Sequence, residues 1–366
     1  MAEKTMDRLI LGNPDQAQHD EEALRFIDAF LSSNKQPRYV LGRNAYAGAV
    51  AHLVPITGFI DDYTDQKEHS GLPIVKSAAV PADALVLSAS SLRPLTALRQ
   101  LQARHLRCLD YFAFRRLSGL PLPQLMFNDG FAEDFAAHQQ EYAWIYDRLA
   151  DDTSKLAFRK LLSFRVTQDI VHLDGFTSRE DQQYFEDFLG LRPEAETFID
   201  VGGYDGYTSA EFIRHCPQYS SVHVFEPEPA NYQACRKKLE SHANVHIHNV
   251  GLSDQCGQVR LNPHGSASKL SDEGSVSIQL NRLDDLTDEI GIPSFIKVDV
   301  EGEETAVIAG ATATIARHHP RLAICVYHTP SDFWKIPRRI LSLHDGYRIH
   351  LRHYTESIYE TVMFFS

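Results

Sequence analysis

Two stretches of this chain alternate short apolar runs with helical ones, and the alternation restricts the fold before any single residue is weighed. In the first, RYVLG (38–42), ITGFIDD (56–62), GLPIV (71–75), ADALVLSAS (82–90) and RCLDYF (107–112) read as strands. NAYAGAVAHL (44–53) and PLTALRQLQARH (94–105) read as helices between them. In the second, strands are expected near 197–201, 221–225, 245–249, 294–299, 321–327, 346–351 and 360–365. Strand-helix-strand at this pitch predicts parallel sheets. GYRIHL and ETVMFF are joined only by RHYTESIY, which is too short for a crossover, so the closing pair is expected to be antiparallel. A hairpin from GQVRL to VSIQL is expected between the third and fourth of the later strands.

The chain has 366 residues, more than one domain usually holds. Residues 1–36 are expected to form a helical arm and 37–120 a small Rossmann-like α/β domain. SGLPLPQL (118–125), with its prolines and glycine, marks a boundary. A helical connector is expected over 121–190, including FAEDFAAHQQEYAWIYDRLAD and SREDQQYFEDFLG as helices. The second α/β domain is expected over 191–366.

A formal net charge of -13 argues against a nucleic-acid partner, because a phosphate backbone demands a basic face. Cys108, Cys216, Cys235, Cys256 and Cys325 are scattered and lack a CxxC pair, which suits a reducing compartment rather than a disulfide framework or a zinc site. MAEKTMDRLILGNPDQ has no long apolar core, so no secretory signal is expected. No run of about 18 apolar residues predicts a membrane span. The cytoplasm is the expected location; a homo-oligomer is left open.

FIDVGGYDGYTSAEFI (198–213) sets Gly202, Gly203 and Gly206 between a strand and a helix. Glycines there serve either a tight structural turn or the close approach of a ligand. The loop lacks the GxxxxGK[ST] lysine, and Asp200 and Asp205 would repel a pyrophosphate. They suit a ligand with a positive charge and hydroxyls, which points away from NAD and toward a sulfonium nucleoside. Glu226 lies about 20 residues on, after the strand VHVF, where an acidic residue accepts hydrogen bonds from ribose. Asn249 and Gly251 reach the same edge and could face an adenine.

FIDVGGYDGYTS, VFEPEP, NVGLSD, FIKVDVEGEE and LAICVYHTPSDFWKIP occur in the order seen in FkbM-type S-adenosylmethionine-dependent methyltransferases, which residues 180–366 resemble. The resemblance implies a seven-stranded, Rossmann-like methyltransferase domain with its last strand antiparallel. It implies methylation of hydroxyl oxygens, often on sugars. It implies that Asp200, Gly202, Gly203 and Gly206 line the methionine part of S-adenosylmethionine, that Glu226 holds the ribose, and that Asp299 sits next to the methyl group. Many relatives carry a carboxylate in the fifth-strand segment where this chain has Tyr327 and His328.

An alcohol is a poor nucleophile at neutral pH and needs a base. His328 is the expected base, with Asp299 orienting it or binding the substrate hydroxyl. Glu301 and Tyr327 are assigned to the acceptor. Arg352, His353 and Tyr354 either grip the acceptor or form a solvated turn. The expectation is that no metal is held, and Asp299, Glu301 and His328 would be the ligands of one if it were. SASKL (266–270) is read as a loop or lid. In the first half, Gly42, Gly48, Asp61 and Asp62 sketch a reduced dinucleotide-type unit, and GLPIV with ALVLSAS resembles small nucleotide-sugar-binding domains; a scaffold that binds nothing is the competing reading. The sequence therefore points to an O-methyltransferase acting on a sugar or glycan-like acceptor. The alternative is a non-catalytic regulatory protein that binds cofactor or nucleotide sugar.

Overall fold

The computed structural model describes residues 8–32, 36–262, 269–270 and 274–366. The expected lid at 266–270 lies mostly outside this range. The chain divides into two compact units. Unit 1 comprises 1–139, 158–178 and 354–359; unit 2 comprises 140–157, 179–353 and 360–366. The stretch expected as a helical connector, 121–190, is thus divided between the units.

Unit 1 is built on six strands: β1 (Arg38–Leu41), β2 (Gly58–Ile60), β3 (Glu68–His69), β4 (Leu72–Val75), β5 (Leu85–Ser88) and β6 (Arg107–Asp110). Their order is β3-β4-β2-β1-β5-β6, and every neighbouring pair is parallel except β3–β4. Helices α1 (Gln16–Ser32), α2 (Ala45–Leu53), α3 (Pro94–Ala103) and α4 (Tyr111–Ser118) accompany it. Local chemistry sets their starts. Asn44 Oδ1 accepts the Ala47 N–H at 3.0 Å, Asp110 accepts those of Phe112 and Ala113, and Pro94 opens α3. Phe26, Ile27 and Phe30 lie three and four residues apart on α1 and share a core with Val40, Phe59, Leu87 and Phe114. The stretch read as an arm therefore contributes to this core.

Residues 354–359 complete unit 1. Ile358 is fully buried in the same core. The Glu356 carboxylate accepts the Thr96 N–H at 2.8 Å and the Thr96 hydroxyl, and Ser357 Oγ donates to the Ser91 carbonyl at 2.6 Å. Glu356 thus supplies the acceptor for an orphan N–H in the first turn of α3.

Unit 2 carries the seven-stranded sheet. Its strands are β7 (Thr197–Val201), β8 (Ser221–Phe225), β9 (Val245–His248), β14 (Phe295–Val298), β15 (Arg321–Cys325), β16 (Ile349–His353) and β17 (Thr361–Phe365). Four further strands, β10 (Gly251–Leu252), β11 (Gly257–Asn262), β12 (Lys269–Leu270) and β13 (Val276–Asn281), form a small sheet in the order β10-β13-β11-β12. The expected hairpin is its β11–β13 pair. The main order is β16-β17-β15-β14-β7-β8-β9, with β17 antiparallel to both neighbours and all other pairs parallel. This is the methyltransferase variant of the doubly wound sheet, and the antiparallel closing pair expected from loop length is present. Phe198, Ile199, Asp200 and Val201 are all buried, as befits a central parallel strand covered on both faces.

The helical expectation over 126–190 is corrected in two places. The run 131–151 breaks at His138, whose ring turns back onto Asp134, giving α5 (Phe131–Ala137) and α6 (Gln139–Arg148). Helix α7 (Asp152–Thr167) follows. The segment 178–190 forms only short 3₁₀ turns at Glu180–Gln182 and Asp187–Leu189. Between them Tyr184 takes a left-handed φ of 75°, and its hydroxyl is anchored on Asp299 instead of following a helical face.

Candidate functional site

Open parallel sheets bind ligands beyond the carboxyl ends of their strands, where the strand order reverses. In unit 2 that point lies between β7 and β14. The loop after β7 leads into helix α8 (Tyr207–His215), and Gly206 stands at its N-cap with φ 82°. Gly202 has φ 82°, and a Cβ there would stand 1.9 Å from the carbonyl oxygen of Asp299. A Cβ on Gly203 would stand 2.2 Å from Val224 Cγ1. These two glycines press the loop against the ends of β14 and β8, which no other residue would allow.

The loop's charges are arranged differently from the expectation. Asp200 does not face outward: it is fully buried, 3.1 Å from Lys297 Nζ, and it accepts the Ser209 hydroxyl at 2.7 Å. Asp205 pairs with Lys238 at 2.5 Å and accepts the Tyr207 N–H at 2.9 Å. Each carboxylate expected to favour a cation is matched by a lysine, because a buried or helix-capping charge without a partner is costly. Lys297 was not foreseen. Its Nζ also donates to the Gly202 carbonyl at 2.5 Å, so it fixes the loop. Burial lowers its pKa, but Asp200 and Asp299 outweigh burial and hold it well above the usual lysine range.

Glu226 follows β8. Its two oxygens accept the N–H groups of Tyr204 at 2.8 Å and Glu228 at 2.9 Å, stitching the glycine loop to the strand end. Burial pushes its pKa up to about 7. Each oxygen keeps a lone pair for a ribose hydroxyl. Asn249 donates to the carbonyls of Glu226 and Pro227, both at 3.0 Å. Gly251 is buried with Leu280 Cδ2 2.8 Å from where its Cβ would stand, so its glycine serves packing under β13. The cradle formed by the glycine loop and the Glu226 carboxylate fits S-adenosylmethionine; a Cβ at 202 or 203 would displace the backbone that shapes it.

Across the Gly202–Asp299 contact lies a second group. Strand β14 ends at Val298, so Asp299 and Glu301 are not brought together by strand alternation. The turn does it: Glu301 has φ 58° and Gly302 φ 108° before helix α9 (Glu304–Gly310) begins. His328, shortly after β15, completes the group. Its Nε2 lies 3.7 Å from Asp299 Oδ1 and 3.7 Å from Glu301 Oε2, and its Nδ1 lies 2.8 Å from Glu304 Oε1. Burial lowers the His328 pKa, but Glu304 and the other carboxylates override it and raise it to about 9. Burial raises that of Glu301 to about 7. Burial also pushes Asp299 up, but Lys297 and His328 hold it below the ordinary carboxylate value. The His328 side chain has no exposed surface, whereas those of Asp299 and Glu301 are 22% and 21% exposed.

Tyr327 is buried and its hydroxyl donates to Glu360 at 3.2 Å; Tyr184 donates to Asp299 at 2.8 Å. Burial raises the Glu360 pKa to about 7. Glu304, Glu360 and Tyr184 escaped the sequence reading. Glu304 was inside the quoted KVDVEGEE; the other two arrive from distant segments with no local signal. Residues 352–354 do not join this group. Strand β16 extends to His353, so Arg352 is no turn residue: its guanidinium donates to both oxygens of Asp151, at 2.8 and 3.2 Å, and to Ser154. His353 faces Thr361 Oγ1 at 2.9 Å, and Tyr354 is fully buried within unit 1.

Residues 200–357 match the family model described as the methyltransferase FkbM domain. A 2-O-methyltransferase, NoeI, of Sinorhizobium fredii is 28% identical over 143 residues, covering 32% of this chain and 58% of the relative. A hexuronic acid methyltransferase, AglP, of Haloferax volcanii is 32% identical over 141 residues, covering 37% of this chain and 57% of the relative. The match thus spans somewhat more than half the length of each. A crystal structure of methyltransferase FkbM from Methylobacillus flagellatus superposes with a TM-score of 0.74 at 23% identity, covering 100% of this chain and 97% of that one, a likeness of fold.

Proposed function

We propose that the chain, whose residues 200–357 match the FkbM methyltransferase family model, transfers a methyl group from S-adenosylmethionine to a hydroxyl of a sugar or glycan-like acceptor. One observation carries the reading. The Asp299 carbonyl stands where a Gly202 Cβ would be, so the cofactor cradle and the Asp299–Glu301–His328 group abut with no room between their backbones. S-adenosylmethionine, when bound, supplies an electrophilic methyl group on a sulfonium. Glu226 accepts the ribose hydroxyls. Lys297 and Glu226 hold the glycine loop in one shape. Asp299 and Glu301 are the members of the acceptor group that a substrate can reach, and Glu301 takes the hydroxyl proton. His328, whose side chain has no exposed surface, is assigned here to balancing the charge of these carboxylates, in place of the role of base expected from the sequence. The names of the two curated relatives support a sugar acceptor and, for AglP, an acidic one.

Unit 1 is read as scaffold. The Glu356 carboxylate already serves the N-terminus of α3, where an anionic nucleotide would bind.

The test is transfer of labelled methyl to a panel of nucleotide sugars, hexuronic acids and cell-surface glycans. A labelled methyl ether on an acceptor is expected. Tight binding of S-adenosylhomocysteine without turnover on any acceptor would favour a regulatory protein instead.

A further inference from the structure

We infer that Tyr184 is a positioning residue for methyl transfer: its buried hydroxyl holds Asp299 Oδ2 and so aims the remaining lone pair of that oxygen at the place where the methyl group changes hands. The inference rests on the methyl-transfer reading and adds to it what fixes the carboxylate beside the donor.

The bonds come first. Tyr184 donates to Asp299 Oδ2 at 2.8 Å, and Cys325 Sγ lies 3.3 Å from the same hydroxyl. Burial raises the pKa of the tyrosine and of the thiol well above their usual values, so each keeps its hydrogen. The tyrosine's one hydrogen goes to the carboxylate, the charged acceptor, and the thiol donates to the phenol oxygen. Oδ1 of Asp299 is a buried atom, 3.7 Å from His328 Nε2. A ligand can therefore meet this carboxylate only at Oδ2. A carboxylate oxygen accepts two hydrogen bonds, and the one already made sets the direction of the other. Tyr184 is only 5% exposed, so it acts through Asp299 and not on a ligand directly.

The delivery of the hydroxyl is the second observation. Gln183 and Tyr184 are consecutive, and each holds a different acid: Gln183 donates to Glu360 Oε2 at 2.6 Å, while Tyr184 takes Asp299. Asp299 follows β14 and Glu360 precedes β17, with β15 and its Cys325 between those strands in the sheet. One donor atom from each of Asp299, Cys325 and Glu360 lies within 4.8 Å of the others. A single turn thus ties down carboxylates from two strands at one end of the sheet, the end where the Asp299 carbonyl abuts Gly202.

The backbone is the third. Tyr184 has φ 75°, Glu301 φ 58° and Glu360 φ 58°. The left-handed region is costly for a residue with a Cβ, and a turn with no other duty is served by glycine. Residues held there gather at functional sites, where the surrounding contacts over-determine them. Here three of them surround one carboxylate.

The experiment is calorimetry of the full chain with two probes, S-adenosylhomocysteine and sinefungin. Sinefungin carries an ammonium where S-adenosylmethionine carries its transferable methyl group, so it reports whether a carboxylate faces that place. The wild type is expected to prefer sinefungin at least about ten-fold, the effect of one charge-assisted hydrogen bond. Tyr184→Phe removes only the hydroxyl. It should cut that preference at least about three-fold while S-adenosylhomocysteine affinity stays within about two-fold, a split that a merely structural role would not produce. Adding Tyr184→Phe to Asp299→Asn should change the preference no further, because the tyrosine acts through the aspartate. A wild type without the preference, or Tyr184→Phe with all of it, overturns the inference. Should Tyr184→Phe fail to fold, a crystal structure of the wild type with sinefungin decides: Asp299 Oδ2 between the Tyr184 hydroxyl and the ammonium upholds the inference, and any other placement of Oδ2 overturns it. A chain that binds both probes equally loses this inference alone. One that binds neither loses the methyl-transfer reading and this inference with it.

Discussion

Lys297 is the residue on which the cradle's charge balance turns. With only 3% of its side chain exposed, it answers Asp200 and holds the Gly202 carbonyl. Lys297→Met leaves Asp200 buried and uncompensated, and breaking one side of such a pair costs about 3–5 kcal/mol. Urea unfolding should show that loss, and pairing the change with Asp200→Asn should recover part of it; equal loss in the double variant would deny the coupling. Gly202→Ala meets both a left-handed backbone and the Asp299 carbonyl. S-adenosylhomocysteine affinity is expected to fall at least about ten-fold, since removing binding energy on the order of 1.4 kcal/mol suffices. Gly202 was legible as a loop glycine. Its contact with Asp299 was not, because the two are brought together by strands about a hundred positions apart in the chain. Asp200 and Asp205 were legible as charges, but their lysine partners at 297 and 238 could not be paired from spacing alone.

At the level of elements, the β8–β9 pair stacks three imidazoles. His223 and His246 rings lie 4.8 Å apart, His223 and His248 rings 5.6 Å apart, and Glu289 stands 3.9 Å from His248. Burial, then His246 and His248, push the His223 pKa down to about 4. A histidine depressed in the folded state favours folding above its unfolded pKa of 6.5, and this contribution is lost as pH falls toward 4. Urea midpoints from pH 7 to pH 4.5 should therefore drop more for the wild type than for His223→Phe; parallel curves would refute the assignment. The strands were read well from their apolar runs, because central parallel strands are buried on both faces and leave a continuous signal. The turns of 178–190 were misread as helix. Their pattern fits a helical face, but the anchoring of Tyr184 on Asp299 is a tertiary contact that overrides it. The same limit explains Arg352, whose strand continues two residues further than its sequence suggests and whose partners lie on a distant helix and its lead-in.

For the whole molecule, the division of the chain matters more than the number of units. Unit 1 draws on three separate stretches, and the last, 354–359, brings a fully buried Ile358 and the Glu356 acceptor for α3. A chain truncated after Ser178 lacks both. It is expected to bind 1-anilinonaphthalene-8-sulfonate and to show weak near-ultraviolet dichroism, the marks of a core that has collapsed without packing; sharp, cooperative melting of that fragment would contradict the assignment. Nothing in RHYTESIY betrayed this, since a short polar connection reads as a surface loop. On the ribosome the same threading reverses the usual order. Domains ordinarily finish folding as they emerge, amino-terminal first. Here the core of unit 1 can close only after residues 354–359 have been translated, so its apolar faces stay uncovered for longer than those of a contiguous domain.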